Sequence, residues 1–303
     1  MTDLDLKQKI EDLKKQKKAI VLAHYYQNKE IQEIADFVGD SLDMAKQAKQ
    51  SEAEMIVVCG VTFMAETAKI LNPDKKILIP VENAGCSLAN FGSEENVLMM
   101  KEKYPEAGFV CYVNSAAEVK ALCDICCTSA NAVDVVRSLK QKQIVMLPDK
   151  NLAAWVQTQV PEKEIIAYDG YCHCHNRVKK EDVYNSKKRH PEAIVLAHPE
   201  VKKEVWEIAD FVGSTSAILR YVELSNEKEF IIATEEGIMY QLRKRHPEKS
   251  FYLLTPDLIC LSMKMVHLDE LYESLKEEKY EIILDESLQE KAKKPLMRMF
   301  TLA

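Results

Sequence analysis

A chain of 303 residues, 47% hydrophobic and 29% charged, has the composition of a folded protein and the length for two or three compact domains, which excludes a disordered chain. A formal charge of −7 and a pI near 5.7 argue against a nucleic-acid binder, since the basic clusters Lys14–Lys18 and Lys187–Arg189 are interleaved with acids. No apolar run approaches the roughly 18–20 residues that span a bilayer, and Met1–Lys18 lacks the apolar stretch of a signal peptide, so a cytosolic protein with no membrane partner is expected.

In chain order, the apolar run Ile20–His24 predicts a first strand. An amphipathic stretch, Glu30–Phe37, predicts a helix with Gly39 as its C-cap, and a second helix leads to a second strand at Ile56–Cys59. A helix from about Phe63 and a third strand, Ile77–Ile79, complete the set. The same order returns with strands at Phe109–Tyr112, Ile144–Leu147 and Ile165–Ala167 and a helix near Leu152. It returns again at Ile194–His198, Phe230–Ala233 and Phe251–Leu254, with a helix near Gly237.

These are copies. Ile20-Val-Leu-Ala-His24 recurs as Ile194-Val-Leu-Ala-His198, and Glu33-Ile-Ala-Asp-Phe-Val-Gly39 as Glu207-Ile-Ala-Asp-Phe-Val-Gly213, both 174 positions on; a weaker copy lies 88 positions after the first. The chain divides into units at 1–86, 87–172 and 173–264. A tail at 265–303 carries two predicted helices, Leu268–Lys279 and Lys291–Met299, expected to pack on the first unit. Strands alternating with helices predict α/β architecture: three repeated three-layer αβα domains with parallel sheets in pseudo-threefold arrangement, the active site at the centre. No glycine-rich phosphate loop is present.

Parallel α/β sheets bind ligands beyond the carboxyl ends of their strands. Those positions hold His24, Tyr112 and His198, with Tyr26, Asn114 and Glu200 two residues further on. After the first helix of each unit stand Ser41, Ser129 and Thr215, expected as helix caps beside free N–H groups that suit carboxylate or phosphate oxygens. Beyond the third strands stand Cys86, Cys260 and, from the middle unit, Cys172 or Cys174. Nine cysteines in a reducing compartment are ligands or core residues before they are disulfides, and three at equivalent strand ends can meet on one axis. Such thiolates suit zinc or an iron–sulfur cluster and leave one position open. Cys123, Cys126 and Cys127 fall where the first unit has a helix end, so packing is their expected role.

The runs His24-Tyr-Tyr-Gln27, Gly39-Asp-Ser41, Gly60-Val-Thr-Phe-Met-Ala-Glu-Thr-Ala68, Cys86-Ser-Leu-Ala89, Tyr112-Val-Asn114, Cys127-Thr-Ser-Ala-Asn131, Leu147-Pro-Asp-Lys-Asn-Leu152, His198-Pro-Glu200 and Gly213-Ser-Thr-Ser216 resemble the quinolinate synthase family, from about residue 10 to 300. The resemblance implies condensation of iminoaspartate with dihydroxyacetone phosphate to quinolinate, phosphate and water, in NAD biosynthesis. L-aspartate oxidase is the implied supplier of iminoaspartate. It also implies a 4Fe-4S cluster on three cysteines whose fourth iron acts as a Lewis acid. Two departures stand out. Gly170-Tyr-Cys172-His-Cys174-His175 has a cysteine where the family has valine, and the resemblance selects Cys172 as ligand where the ungapped repeat selects Cys174. Cys260-Leu-Ser-Met263 lacks the family's proline.

The expected ligands are therefore Cys86, Cys172 and Cys260. Glu200, Tyr26, Tyr112, His175 and His198 are the expected catalytic groups, with Glu200 as general base and the tyrosines as proton donors or relays. His24, Ser41, Tyr112, Asn114, Ser129, His198, Glu200, Ser214 and Thr215 are the expected substrate-binding groups. A zinc–thiolate enzyme, or a non-catalytic module that binds anionic metabolites at the helix N-termini, remains open on the residues alone.

Overall fold

The computed structural model describes residues 2–302. The first unit runs α1 (Asp3–Gln16), β1 (Ala19–His24), α2 (Lys29–Ile34), β2 (Phe37–Gly39), α3 (Ser41–Gln50), β3 (Met55–Cys59), α4 (Thr62–Leu71) and β4 (Lys76–Leu78). The second runs α5 (Glu94–Lys103), β5 (Gly108–Tyr112), α6 (Ala117–Ala121), β6 (Ile125–Cys127), α7 (Ala132–Ser138), β7 (Gln143–Leu147), α8 (Lys150–Gln159) and β8 (Glu164–Ala167). The third repeats it as α9 (Lys180–Arg189), β9 (Ile194–Ala197), α10 (Lys203–Trp206), β10 (Phe211–Val212), α11 (Thr215–Leu224), β11 (Glu229–Ala233), α12 (Ile238–Arg245) and β12 (Ser250–Leu253). Then come α13 (Leu268–Glu277) and α14 (Glu286–Phe300).

Three four-stranded sheets result, ordered β2-β1-β3-β4, β6-β5-β7-β8 and β10-β9-β11-β12, with all pairings parallel. Their central strands are short β-branched runs buried along almost their whole length, as required of a sheet covered by helices on both faces. The fold is thus α/β with three repeated αβα domains, as the sequence predicts.

Each sheet has one strand more than expected. The Glu30–Phe37 stretch is not one helix ending at Gly39: α2 stops at Ile34, and Phe37–Gly39 pairs with Leu22–His24 as an edge strand. The physical reason is Asp36. Its carboxylate accepts the Val21 N–H at 2.7 Å while its own N–H donates to the Val21 carbonyl at 2.9 Å, which fastens the chain to β1 before helical periodicity can continue. Asp124 and Asp210 make the same pair of bonds to Phe109 and Val195. Cys126 and Cys127 accordingly lie in the edge strand β6, not at a helix end. They are fully buried core residues.

The tail divides between units. The apolar stripe of α13, Leu268, Leu271 and Leu275, is buried with Leu6 and Ile10 of α1 against the first sheet. The longer α14 carries Ala292, Leu296 and Met299 onto α6 and β6 of the second unit, touching α4 of the first, so only α13 packs wholly where the sequence reading put the tail. The five-residue α6 is too short to cover its sheet edge, and α14 supplies the missing cover. Among the described residues no helix is long and apolar enough to cross a membrane.

Leu296 is fully buried in that contact. Leu296→Ala is expected to cost about 2–5 kcal/mol, the usual range for a core leucine, read as a fall in the urea midpoint of unfolding. An unchanged midpoint would show that α14 lies outside the cooperative core.

Candidate active site

The carboxyl ends of β1, β5 and β9 open on one cavity of about 270 Å³ with walls from all three units. Close backbone packing shapes it: a Cβ on Gly237 would fall 2.6 Å from the Tyr26 Cα, so only glycine lets the third unit seat this tightly on the first.

Of the residues predicted from sequence, His24, Tyr26, Ser41, Tyr112, Asn114, Ser129, His175, His198, Glu200, Thr215, Cys86, Cys172 and Cys260 all line this cavity. Ser214 does not. It is the N-cap of α11, its hydroxyl accepting the Ala217 N–H at 3.2 Å, and Asp40 caps α3 in the same way through Leu42 and Asp43. The caps of α3 and α11 therefore stand one residue earlier than expected, which leaves Ser41 and Thr215 lining the cavity, where Thr215 Oγ1 meets the Tyr26 hydroxyl at 2.8 Å; in the middle unit the N-cap of α7 is Asn131, so Ser129 is not a cap either.

Glu200 is the electrostatic centre. Its carboxylate, 3% exposed, accepts the Tyr112 O–H at 2.6 Å on one oxygen and lies 2.9 Å from His175 Nδ1 on the other. Burial opposes its charge, but the His198 and His175 imidazoles together with the two hydrogen bonds hold its carboxyl well below the ordinary range. His175 Nδ1 donates to Glu200, so Nε2 accepts from the Thr234 hydroxyl at 2.9 Å, and Thr234 in turn accepts the Tyr26 O–H at 2.7 Å. A directed chain of hydrogen bonds thus runs from Tyr26 through Thr234 and His175 to Glu200. Thr234 is absent from the residues expected from sequence; it directly follows β11, an inner strand of the third sheet.

The other two imidazoles are clamped alike. His24 Nδ1 accepts the Tyr26 N–H at 3.1 Å, and His198 Nδ1 accepts the Glu200 N–H at 3.3 Å, so each presents Nε2–H; that of His198 meets Ser129 Oγ at 3.1 Å. Burial pushes His24 down to about 3 and His198 to about 4, so both are neutral donors at pH 7. Burial raises the Tyr26 and Tyr112 hydroxyls, which stay protonated. The buried Asn114 Oδ1 has no partner within the protein and remains available to a ligand. Arg177, His173 and Cys174 also line the cavity. His173 is outside the expected set, although it adjoins Cys172 in the sequence.

Cys86, Cys172 and Cys260 arrive on three separate loops, one after each last strand, and all three are half-buried free thiols. Burial pushes Cys86 up to about 12 and raises Cys172 and Cys260, so the thiols hold their protons until a cation displaces them. Cys86, Cys172 and Cys260, with Cys174 on the same cavity wall, are soft donors that suit a bound metal. Cys172, His175 and Glu200 also place one ligand atom each within 4.8 Å of one another, so a Cys/His/Glu group able to hold a single metal ion is present.

The family model for the quinolinate synthetase A protein matches residues 8–301. A quinolinate synthase of Caldicellulosiruptor saccharolyticus is 52% identical over 298 residues, 98% of this chain and 98% of that protein. Those of Alkaliphilus metalliredigens and Clostridium perfringens are 50% and 48% identical, each match covering 99% of both chains. With a full-length match to the family and about half of all positions shared, the chain belongs to the quinolinate synthetase A protein family.

Proposed function

We propose that the chain condenses iminoaspartate with dihydroxyacetone phosphate to give quinolinate, phosphate and water, at a 4Fe-4S cluster held by Cys86, Cys172 and Cys260. The observation that carries this reading is that three thiols, one per unit, face the cavity that holds the buried Glu200 carboxylate. When bound, the cluster would supply an iron without a thiolate ligand, a Lewis acid for a substrate oxygen or nitrogen. Quinolinate so made enters de novo NAD biosynthesis in the cytosol. Iminoaspartate hydrolyses in water, which favours delivery from a nearby L-aspartate oxidase.

The chain's own groups divide the remaining work. Glu200, kept ionised, takes protons next to the substrate carbonyl; a substrate that draws Tyr112 or His175 away from it raises its basicity. Tyr112 returns protons, and Tyr26 relays them through Thr234 and His175 toward Glu200. His24 and His198 donate Nε2–H to substrate oxygens. The hydroxyls of Ser41 and Thr215 in the first turns of α3 and α11, with the Ser129 hydroxyl and the Asn114 amide, hold carboxylate and phosphate.

Glu200→Gln should keep the cluster spectrum and lower quinolinate formation by about 10²–10⁴-fold, the usual cost of removing a positioned base. Wild-type turnover would remove its role, and a lost cluster would make it structural.

Anaerobically reconstituted Cys86→Ala, Cys172→Ala and Cys260→Ala proteins should each lose the brown 4Fe-4S absorption, while Cys123→Ala, Cys126→Ala and Cys127→Ala keep it. If wild-type protein gave colourless, active zinc protein, the single-ion site at Cys172, His175 and Glu200 would be the correct reading instead.

Neutral imidazoles carry a pH signature. His24 and His198 titrate at about 3 and about 4 in the fold, against roughly 6.5 unfolded, so between those values the unfolded chain binds more protons. Stability of the metal-free protein should fall as pH drops from about 6.5 to 4.5, less steeply in His24→Asn. A flat urea midpoint across that window would show the imidazoles to be charged in the fold.

A further inference from the structure

The three cysteine loops are not held alike. One bond is common to all: the backbone N–H at Thr62, Lys150 and Glu236 donates to the carbonyl two residues before each cysteine, at Ala84 (2.9 Å), Gly170 (2.8 Å) and Leu258 (2.8 Å). The second and third loops have a further tie at the cysteine itself. Asp149 Oδ2 accepts the Cys172 N–H at 3.2 Å, and Glu235 Oε1 accepts the Cys260 N–H at 3.1 Å.

Asp149 and Glu235 occupy one repeat position, each just after the third of the four strands in chain order, and are 2% and 0% exposed. Both carboxylates use their second oxygen elsewhere: Asp149 Oδ1 caps α8 at the Leu152 N–H (2.7 Å), and Glu235 Oε2 takes the Gly237 N–H (2.7 Å), while Lys264 lies 3.0 Å from Glu235 Oε1. Each side chain therefore bridges a helix start to a ligand amide. In the first unit the position is Val61, which has no acceptor to offer the Cys86 N–H; there the Thr62 hydroxyl donates a second bond to the Ala84 carbonyl at 3.2 Å instead.

We infer that Asp149 and Glu235 are positioning residues that preset Cys172 and Cys260 for the metal group, a clamp on the ligand amide that Cys86 lacks. A carboxylate suits the task because it accepts at both oxygens. An amide of the same shape accepts at one only and turns an N–H toward a donor at the other, so Asp149→Asn and Glu235→Gln each break one end of the bridge at nearly constant volume.

The inference rests on the cluster reading above, and the test separates the two. Wild type, Asp149→Asn, Glu235→Gln and, as control, Glu66→Gln are reconstituted anaerobically. Glu66 is a half-buried carboxylate that accepts an amide, Ala117 N–H at 3.1 Å, and does not line the cavity. Iron transfer to a ferrous chelator is followed with the visible spectrum and the EPR spectrum of the reduced protein, and thermal midpoints are taken without metal. Asp149→Asn and Glu235→Gln should release iron about 10–100-fold faster with an altered EPR spectrum, the usual scale for partners of ligand residues, and Glu66→Gln at the wild-type rate. Should Asp149→Asn fail to fold, Asp149→Ser keeps the helix cap and removes the reach to Cys172. Wild-type rates and spectra in the bridge variants overturn the inference. Iron and sulfide absent from wild type overturn the cluster reading instead.

Discussion

Three sheets aim their carboxyl ends at one point, and that convergence constrains everything around it. Inside each sheet the backbone N–H and C=O groups are consumed by the ladder; the loops that leave the strands are the first segments whose polar groups need other partners. Packing three such sets of loops together buries them, and a buried polar group left unpaired is costly. The contacts at the centre follow from this demand. Tyr112 of the second unit bonds Glu200 of the third, and Tyr26 of the first bonds Thr215 and Thr234 of the third. None of the three units owns the site.

Burial acts differently on each class of group there. It keeps the imidazoles of His24 and His198 neutral and the tyrosine and cysteine side chains protonated, yet Glu200 stays ionised because two neighbours donate to it. One carboxylate facing protonated donors is a workable arrangement for moving protons in both directions. Cationic metal would act on the same balance by drawing protons from the thiols.

The repeat made much of this legible. Period and spacing locate the strand ends, hence His24, Tyr112 and His198, and equivalence points to Cys86, Cys260 and, ungapped, Cys174, while the family resemblance selects Cys172. What escaped were features decided by contacts distant in sequence. The edge strand after Asp36 is too short to announce itself against a helical pattern, and only the bond to Val21 decides it. Thr234, Asp149 and Glu235 follow inner strands whose ends were not inspected, and an aspartate before a helix looks like an ordinary cap. The placement of α14 could not be read from its stripe, which says that it is covered and not by what.

The way α13 packs bears on how the protein is made. Leu6 and Ile10 are synthesised about 260 residues before the side chains that seal them, Leu268, Leu271 and Leu275. Synthesis at about 5–20 residues per second leaves that first core open for tens of seconds. Through that interval the nascent chain exposes apolar surface that a chaperone would recognise, although each sheet is built from local segments.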